Sequence, residues 1–285
     1  MGKSGCRFVW YELATTETES AKAFYADVVG WGTGDAPMPG SVYTQFTAGD
    51  APVAGLMKLT ADARRAGAVP QWIGFVGVED VDVAAGRVQR LGGAVLVPPA
   101  NVPNVTRFSV IADPQGAPLA LVKRPERDRE QPLRPGATGR VGWHELLATD
   151  WERAFTFYGD LFGWQKGNAD VNSMGTYQEF SAGTEAIGGM WTSGSLSAVW
   201  LYYFNVSDIV AAAKRVEASG GRITYGPVAV PGGSRVAHCT DPEGAVFGLI
   251  DWHVQVSVAC YAPRDASNRP PTRQPGKTGK SGQSQ

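Results

Sequence analysis

The chain repeats itself, and this restricts its possible folds more than any other feature. Trp10-Tyr11-Glu12-Leu13 recurs as Trp143-His144-Glu145-Leu146, Phe24-Tyr25 as Phe157-Tyr158, and Gly30-Trp31 as Gly163-Trp164, each 133 residues later. The register then settles at 128 residues. Val78-Glu79-Asp80 answers to Val206-Ser207-Asp208, Gly92-Gly93 to Gly220-Gly221, Pro103 to Pro231 and Arg107 to Arg235. Asp113-Pro114-Gln115-Gly116-Ala117 answers to Asp241-Pro242-Glu243-Gly244-Ala245. A tandem duplication follows, with one domain over 6–123, a charged, proline-containing linker over 124–139 and a second domain over 140–252. Residues 261–285 are rich in Pro, Gly, Ser and cations, which predicts a disordered tail.

Within each repeat the pattern reads as strand, helix, then several strands, played twice. Arg7 to Ala14 alternates as a strand, and Thr16-x-x-Glu19 has the form of a capping box. Ala21, Phe24, Tyr25 and Val28 then follow at helical spacing. Thr149-x-x-Glu152 opens the equivalent helix, with Phe155, Tyr158 and Phe162 predicted on its apolar face. Further strands are expected around 43–47, 53–59 and 72–78 and near Val95, Phe108 and Leu119, with a helix from Asp80 to Gly92-Gly93. Strands in hairpin-linked groups with a minority of helix define an α+β chain.

Composition narrows the function. With 43% hydrophobic and 19% charged residues, the 285-residue chain can bury a sizeable core. Its 26 basic and 27 acidic side chains leave a net charge of −1, without the basic excess that phosphate neutralisation needs, so no nucleic-acid partner is expected. No apolar run reaches the length of about 18 residues that marks a membrane span, and no signal-like h-region opens the chain. Three scattered cysteines (Cys6, Cys239, Cys260) suit a reduced, cytoplasmic protein.

Taken in order, these motifs resemble the vicinal oxygen chelate superfamily, the glyoxalase/bleomycin-resistance/extradiol-dioxygenase fold. The signals are Ala154-x-x-Phe157-Tyr158, Phe162-Gly163-Trp164, a second strand running into Val-x-Asp, the Gly-Gly stop and the Asp-Pro-x-Gly-Ala turn. The resemblance implies two βαβββ modules per repeat around a U-shaped cleft, and is strongest to two-domain actinomycete glyoxalase-like proteins, including those of anthracycline-type polyketide pathways. It also implies a divalent metal held from cleft-facing strands. Carried onto this chain, the ligand positions fall on Trp10 and Trp143, Ile73 and Leu201, and Ala120 and Gly248, none of which can ligate a metal through its side chain. A shift of two residues would bring in Glu12 and Glu145. No metal and no cofactor are therefore expected.

The remaining candidates are carboxylates, cations and rings. Alternation places Glu12 beside Trp10 and Glu145 beside Trp143 on one strand face, where desolvation would raise each carboxyl towards a useful general acid or base. The alternative is a paired structural glutamate. Arg107 and Arg235 read either as clamps for a ligand anion or as ion-pair partners of nearby acids. His238 reads as a catalyst or a satisfied core residue, and Cys239 should face the opposite way. Trp10, Tyr43, Trp72, Trp143, Tyr177, Trp191, Trp200 and Tyr202 lie on predicted strands and suit either core packing or stacking on a flat apolar ligand.

The expected function is metal-independent binding or processing of an apolar aromatic small molecule, in tailoring, accessory or resistance roles of antibiotic metabolism. The alternative is a lyase, isomerase or oxygenase-type enzyme with Glu12 or Glu145 as acid–base group. A third expectation is a degenerate repeat that docks a partner enzyme. The expected assembly is a monomer or homodimer.

Overall fold

The computed structural model describes residues 5–38, 41–102, 105–124, 136–172, 175–195 and 197–252. Most of the expected linker (125–135), the expected tail, Pro103, His253 and Cys260 lie outside them. The first repeat runs β1 (Phe8–Thr15), α1 (Thr18–Val29), β2 (Gly32–Met38), β3 (Ser41–Ala48), β4 (Ala51–Lys58), α2 (Ala61–Arg65), β5 (Gln71–Val78), α3 (Val81–Arg90), β6 (Ala94–Val102), β7 (Thr106–Ala112) and β8 (Pro118–Lys123). The second runs β9 (Val141–Ala148), α4 (Trp151–Phe162), β10 (Gln165–Asn172), β11 (Gly175–Ala182), β12 (Glu185–Thr192), β13 (Val199–Asn205), α5 (Ile209–Ala218), β14 (Arg222–Ala229), β15 (Arg235–Thr240) and β16 (Val246–Asp251). No helix among the described residues is long and apolar enough to cross a membrane.

Each repeat forms one eight-stranded mixed sheet, in the orders β2-β3-β4-β1-β5-β8-β7-β6 and β10-β11-β12-β9-β13-β16-β15-β14. In each sheet, the first strands of its two βαβββ modules pair antiparallel, β1 with β5 and β9 with β13, while β4 and β12 lie parallel to β1 and β9. The two modules therefore join into one continuous surface. Strand parity divides it into two faces. His144, Leu146 and Ala148 of β9 and Trp200, Tyr202 and Phe204 of β13 are buried on the helix-covered face. Trp143 and Leu147 with Leu201 and Tyr203 belong to a separate apolar cluster on the other face.

The helix-covered faces of both repeats share one core, tied by equivalent bonds across the duplication. Trp72 Nε1 donates to Tyr25 Oη (2.8 Å), which donates to Asp241 of the other repeat (3.2 Å). Trp200 Nε1 likewise donates to Tyr158 Oη (3.0 Å), which donates to Asp113 (3.1 Å). The other oxygen of each aspartate accepts two amides of its own turn, from Gln115 and Ala117 or from Glu243 and Ala245. These contacts explain why the Phe-Tyr pair and the Asp-Pro-x-Gly-Ala turn recur together.

The helix starts differ from the expected capping boxes. The α1 N-cap is Glu17, which makes no side-chain cap bond. Glu243 of the other repeat instead accepts the amides of Thr16 (3.0 Å) and Glu17 (3.2 Å) and bonds both Thr15 and Thr16 hydroxyls. At α4, Gln115 accepts the amides of Thr149 (2.7 Å) and Asp150 (2.9 Å), while Asp150 caps Arg153 N (3.1 Å). A partner fixed by tertiary packing thus satisfies the orphan donors that a local glutamate was expected to bond. The apolar face of α4 is Ala154, Phe157, Tyr158, Leu161 and Phe162, with Phe155 only partly buried at its margin under Lys166.

Where β1 and β9 approach, the repeat-equivalent residues Tyr11 and His144 meet, Oη to Nε2, at 2.6 Å, with Phe8 stacked on the imidazole at 4.1 Å. Burial pushes the His144 pKa down to about 4, against the opposing effect of its bond to the Ile187 carbonyl. The unfolded chain therefore binds the extra proton first, and stability falls as pH drops through the window from about 6.5 to about 4. Replacing His144 by Gln should remove this slope. In urea titrations, the stability advantage of the wild type over His144→Gln should shrink by about 2 kcal/mol between pH 6.5 and 5. A gap independent of pH would show that His144 does not titrate in this window.

Candidate functional site

The free face of the second sheet encloses a cavity of about 1090 Å³. Its wall is mostly rings and aliphatic side chains, with Trp143, Tyr177, Trp191, Tyr203, Tyr225 and Trp252 among Leu147, Val228, Val236 and Ile250. β9, β11, β12, β13, β14, β15 and β16 all contribute, so the site is held by paired strands.

One polar chain crosses this apolar wall. Glu145, 7% exposed, accepts Trp191 Nε1–H at 2.5 Å through one oxygen and the Tyr203 hydroxyl through the other. Tyr203 Oη in turn lies 2.7 Å from His238 Nε2. Burial raises the Glu145 pKa, and the two donors act against that rise. Burial lowers that of His238 to about 4, so the imidazole is neutral near pH 7. In the ionised state, Tyr203 donates to the carboxylate and accepts from His238 Nε2–H.

The register shows what the first repeat lacks. Met57 stands where Trp191 does, Phe75 where Tyr203 does and Val110 where His238 does. There, Trp10 Nε1 donates to Tyr43 Oη (3.1 Å), which donates to Glu12 (2.6 Å). In the second repeat, Trp143 Nε1 donates to Tyr177 Oη (2.7 Å) in the same way, but Tyr203 and Trp191 have taken the glutamate. Among the described residues, the Tyr177 hydroxyl proton has no acceptor. Burial raises the Glu12 pKa as well, opposed by Tyr43 alone.

Of the sequence candidates, the cavity gathers Trp143, Glu145, Tyr177, Trp191 and His238, and the matching face of the first sheet carries Trp10, Glu12 and Tyr43. Trp72, Trp200 and Tyr202 are corrected. They lie on the opposite face, 3%, 2% and 0% exposed, where Tyr202 Oη accepts the Gly74 amide (2.7 Å), and no ligand in the cleft can reach them. Arg107 is held bidentately by Asp82 (2.6 and 2.7 Å) and bonds Asn101, and Arg235 pairs with Asp251 at 2.5 Å. Neither arginine lines the cavity. Met190 is buried, whereas Met57 is 45% exposed and matches Trp191. Cys239 is buried on the core face, and its thiol pKa is pushed up to about 12.

Tyr203, Tyr225 and Trp252 were missed. Tyr203 sits in the unbroken apolar run Trp200–Phe204, which hides strand parity. It is nevertheless two residues beyond Leu201, already expected to face the cleft, and that spacing could have found it.

The donor set does not fit a divalent centre of the kind the fold implies. The described residues contain no group of three or more His, Cys, Asp or Glu arranged around one point. Glu145 and His238 are separated by the Tyr203 phenol, which bonds to both. Gly248, at the expected carboxylate position, has no side chain because the Tyr203 ring occupies that space, and a Cβ there would lie 2.4 Å from the ring.

The sequence profile of the Glyoxalase/Bleomycin resistance protein/Dioxygenase superfamily matches residues 7–121 and 140–249. Over 245 residues the chain is 31% identical to “Putative glyoxylase CFP32” of Mycobacterium tuberculosis, covering 85% of this chain and 93% of that protein. It is 28% identical over 260 residues to the anthracycline biosynthesis protein DauV of Streptomyces sp. (strain C5), covering 85% and 92%. Among solved structures, homoprotocatechuate 2,3-dioxygenase from Arthrobacter globiformis superposes with a TM-score of 0.61 at 15% identity, covering 87% of this chain and 80% of that one. The Mn(II)-bound glyoxalase from Novosphingobium aromaticivorans gives 0.55 at 16%, covering 87% and 82%. These two likenesses establish the fold.

A methyl group at Gly248 should displace the Tyr203 ring and pull its hydroxyl from Glu145. Gly248→Ala is expected to cost about 1–3 kcal/mol in urea unfolding. It should also raise the Glu145 titration midpoint further, read by carboxyl ¹³C NMR. An unchanged midpoint would mean that Tyr203 does not hold the carboxylate.

Proposed function

Because the chain belongs to the glyoxalase/bleomycin resistance protein/dioxygenase superfamily, we propose that it is a metal-independent, cytoplasmic member that takes a mostly apolar, multi-ring aromatic metabolite into the second-repeat cleft. The setting is polyketide antibiotic metabolism, where it acts as a tailoring, accessory or resistance protein. The observation that carries the reading is the cavity itself, with six aromatic rings around a single buried carboxylate. Its volume of about 1090 Å³ lies at the upper end of small-molecule sites. Rings on a rigid sheet can stack on a flat ligand with little loss of side-chain freedom. The relatives named for anthracycline biosynthesis support the same ligand class. The proposal takes a monomer or homodimer as the assembly.

Equilibrium dialysis against a four-ring anthracycline tests the reading. Micromolar or tighter affinity at one site per chain is expected, and Trp191→Ala should weaken it about tenfold or more, since losing a stacked ring is worth at least about 1.4 kcal/mol. Millimolar affinity, or equal affinity in the variant, would remove the proposal.

A further inference from the structure

The second cleft is electrically lopsided. Asp170 of β10, Glu179 of β11 and Glu145 of β9 line one side, and no Lys or Arg is among the described residues around the cavity. Val228, Val236, Ile250 and Trp252 on the other side carry no charge. The strand register gathers the acids around one phenol. Asp170 stands directly across from Tyr177, while Glu179 and Glu145 flank Gly189, and the Tyr177 ring lies over that glycine. Burial raises the Tyr177 pKa most, and the negative charges of Glu145 and Glu179 add to the rise. Glu145 is held by neutral donors, Trp191 and Tyr203, and Glu179 by the Asn168 amide (3.1 Å). Neither glutamate forms an ion pair among the described residues. The first repeat shows that this charge is no part of the scaffold. Ala36 stands opposite Tyr43 where Asp170 stands opposite Tyr177, and Gln45 opposite Gly55 where Glu179 stands opposite Gly189. Two carboxyls are thus added around the equivalent tyrosine in the repeat that holds the 1090 Å³ cavity.

We propose that the second cleft selects a cationic ligand, a flat apolar ring system bearing a protonated amine, with the ammonium seated beside Tyr177 between Glu145 and Glu179. This deepens the function proposed above and rests on it. A neutral ligand strips water from both carboxyls and returns no charge, and an anionic one adds repulsion. An ammonium offsets two like charges at once, where little water is left to screen them. The faces of Trp143 and Tyr177 add cation–π attraction. The uncharged side takes the rings. Glu145 and Glu179 are then the specificity residues, and rejection of anions follows from the same two groups.

Three pyrenes that share one four-ring body test this: 1-pyrenemethylamine, 1-pyrenemethanol and 1-pyrenecarboxylate. Binding to the full chain is measured by equilibrium dialysis at pH 7 and low salt. The amine should bind at least about tenfold more tightly than the alcohol, and the carboxylate more weakly than either. Glu145→Gln should cut the amine-to-alcohol ratio about tenfold and Glu179→Gln about threefold, each with alcohol affinity within about threefold of the wild type. Glu179 is only half-buried, so its variant decides the matter if Glu145→Gln does not fold. Tight binding of the alcohol with no preference for the amine would overturn the inference and leave the binding reading intact. An amine preference undiminished in both variants would do the same. Failure of all three pyrenes to bind would overturn both.

Discussion

The two Tyr–Asp bridges across the duplication are the bonds on which the rest of the molecule depends. Each buries a carboxylate whose first oxygen closes its own turn and whose second oxygen accepts a tyrosine from the other repeat. Removing either tyrosine hydroxyl would leave a buried acceptor unsatisfied, at a cost of about 1–3 kcal/mol or more for a charged group. The bridges also fix the tryptophans behind them, Trp72 and Trp200, and bring Gln115 and Glu243 to the helix starts. Neither repeat completes its helix-covered face alone. Helices α1, α3, α4 and α5 and the Asp-Pro turns are consumed in this shared core, and the opposite sheet faces are left free of it.

Duplication lets the scaffold and the cleft be compared within one chain. The scaffold bonds keep their symmetry almost atom for atom. Trp31 Nε1 donates to the Gly139 carbonyl (2.6 Å) and Trp164 Nε1 to that of Cys6 (2.7 Å), and Arg215 and Arg87 bond the carbonyl ends of α1 and α4. The cleft does not keep it. The Trp–Tyr pair survives in both sheets, and so does a glycine under each tyrosine ring, Gly55 and Gly189, where a Cβ would collide with the phenol. Beyond that pair, Met57, Phe75 and Val110 stand opposite Trp191, Tyr203 and His238. On the core face Tyr11 and His144 also differ, and so do Gly74 and Tyr202, yet the bonds that tie the repeats together persist there, whereas the bonds around the cleft glutamate do not.

The legible part of this fold was the part with strong periodicity or a repeated motif. The duplication, the α1 stripe, the strands at 72–78 and their equivalents and the Gly92 stop could all be read from the chain, because each is dictated by burial or by a backbone conformation with positive φ. The edge strands β2 and β10 were not legible. Gly32–Met38 and Gln165–Asn172 carry Gly, Asp, Asn and Pro and pair on one side only, so no apolar alternation is imposed on them. Capping was misread for another reason: Thr16-x-x-Glu19 satisfies a local rule, but Glu243, 227 residues beyond Thr16, reaches the Thr16 and Glu17 amides instead. Within the site, Glu12 and Glu145 were legible by alternation from the tryptophans two residues before them. Trp200 and Tyr202 were placed on the wrong face because a strand buried on both sides shows no parity of its own.

A carboxylate inside an aromatic cavity is a costly arrangement, and the way its cost is offset defines what the cleft can do. A divalent cation would offset it by charge, but the second sheet supplies neutral donors instead, an indole and a phenol. Neutral donors leave the carboxyl with its affinity for a proton, whereas a cation would suppress it. The wall also carries the carboxylates of Asp170 and Glu179, and among the three acids that line the cavity Glu145 is the buried one. On the function proposed above, a flat molecule would meet rings over most of its surface and the buried Glu145 at one edge. Under that proposal, selectivity rests on where the ligand carries its polar edge relative to Glu145 and Tyr177.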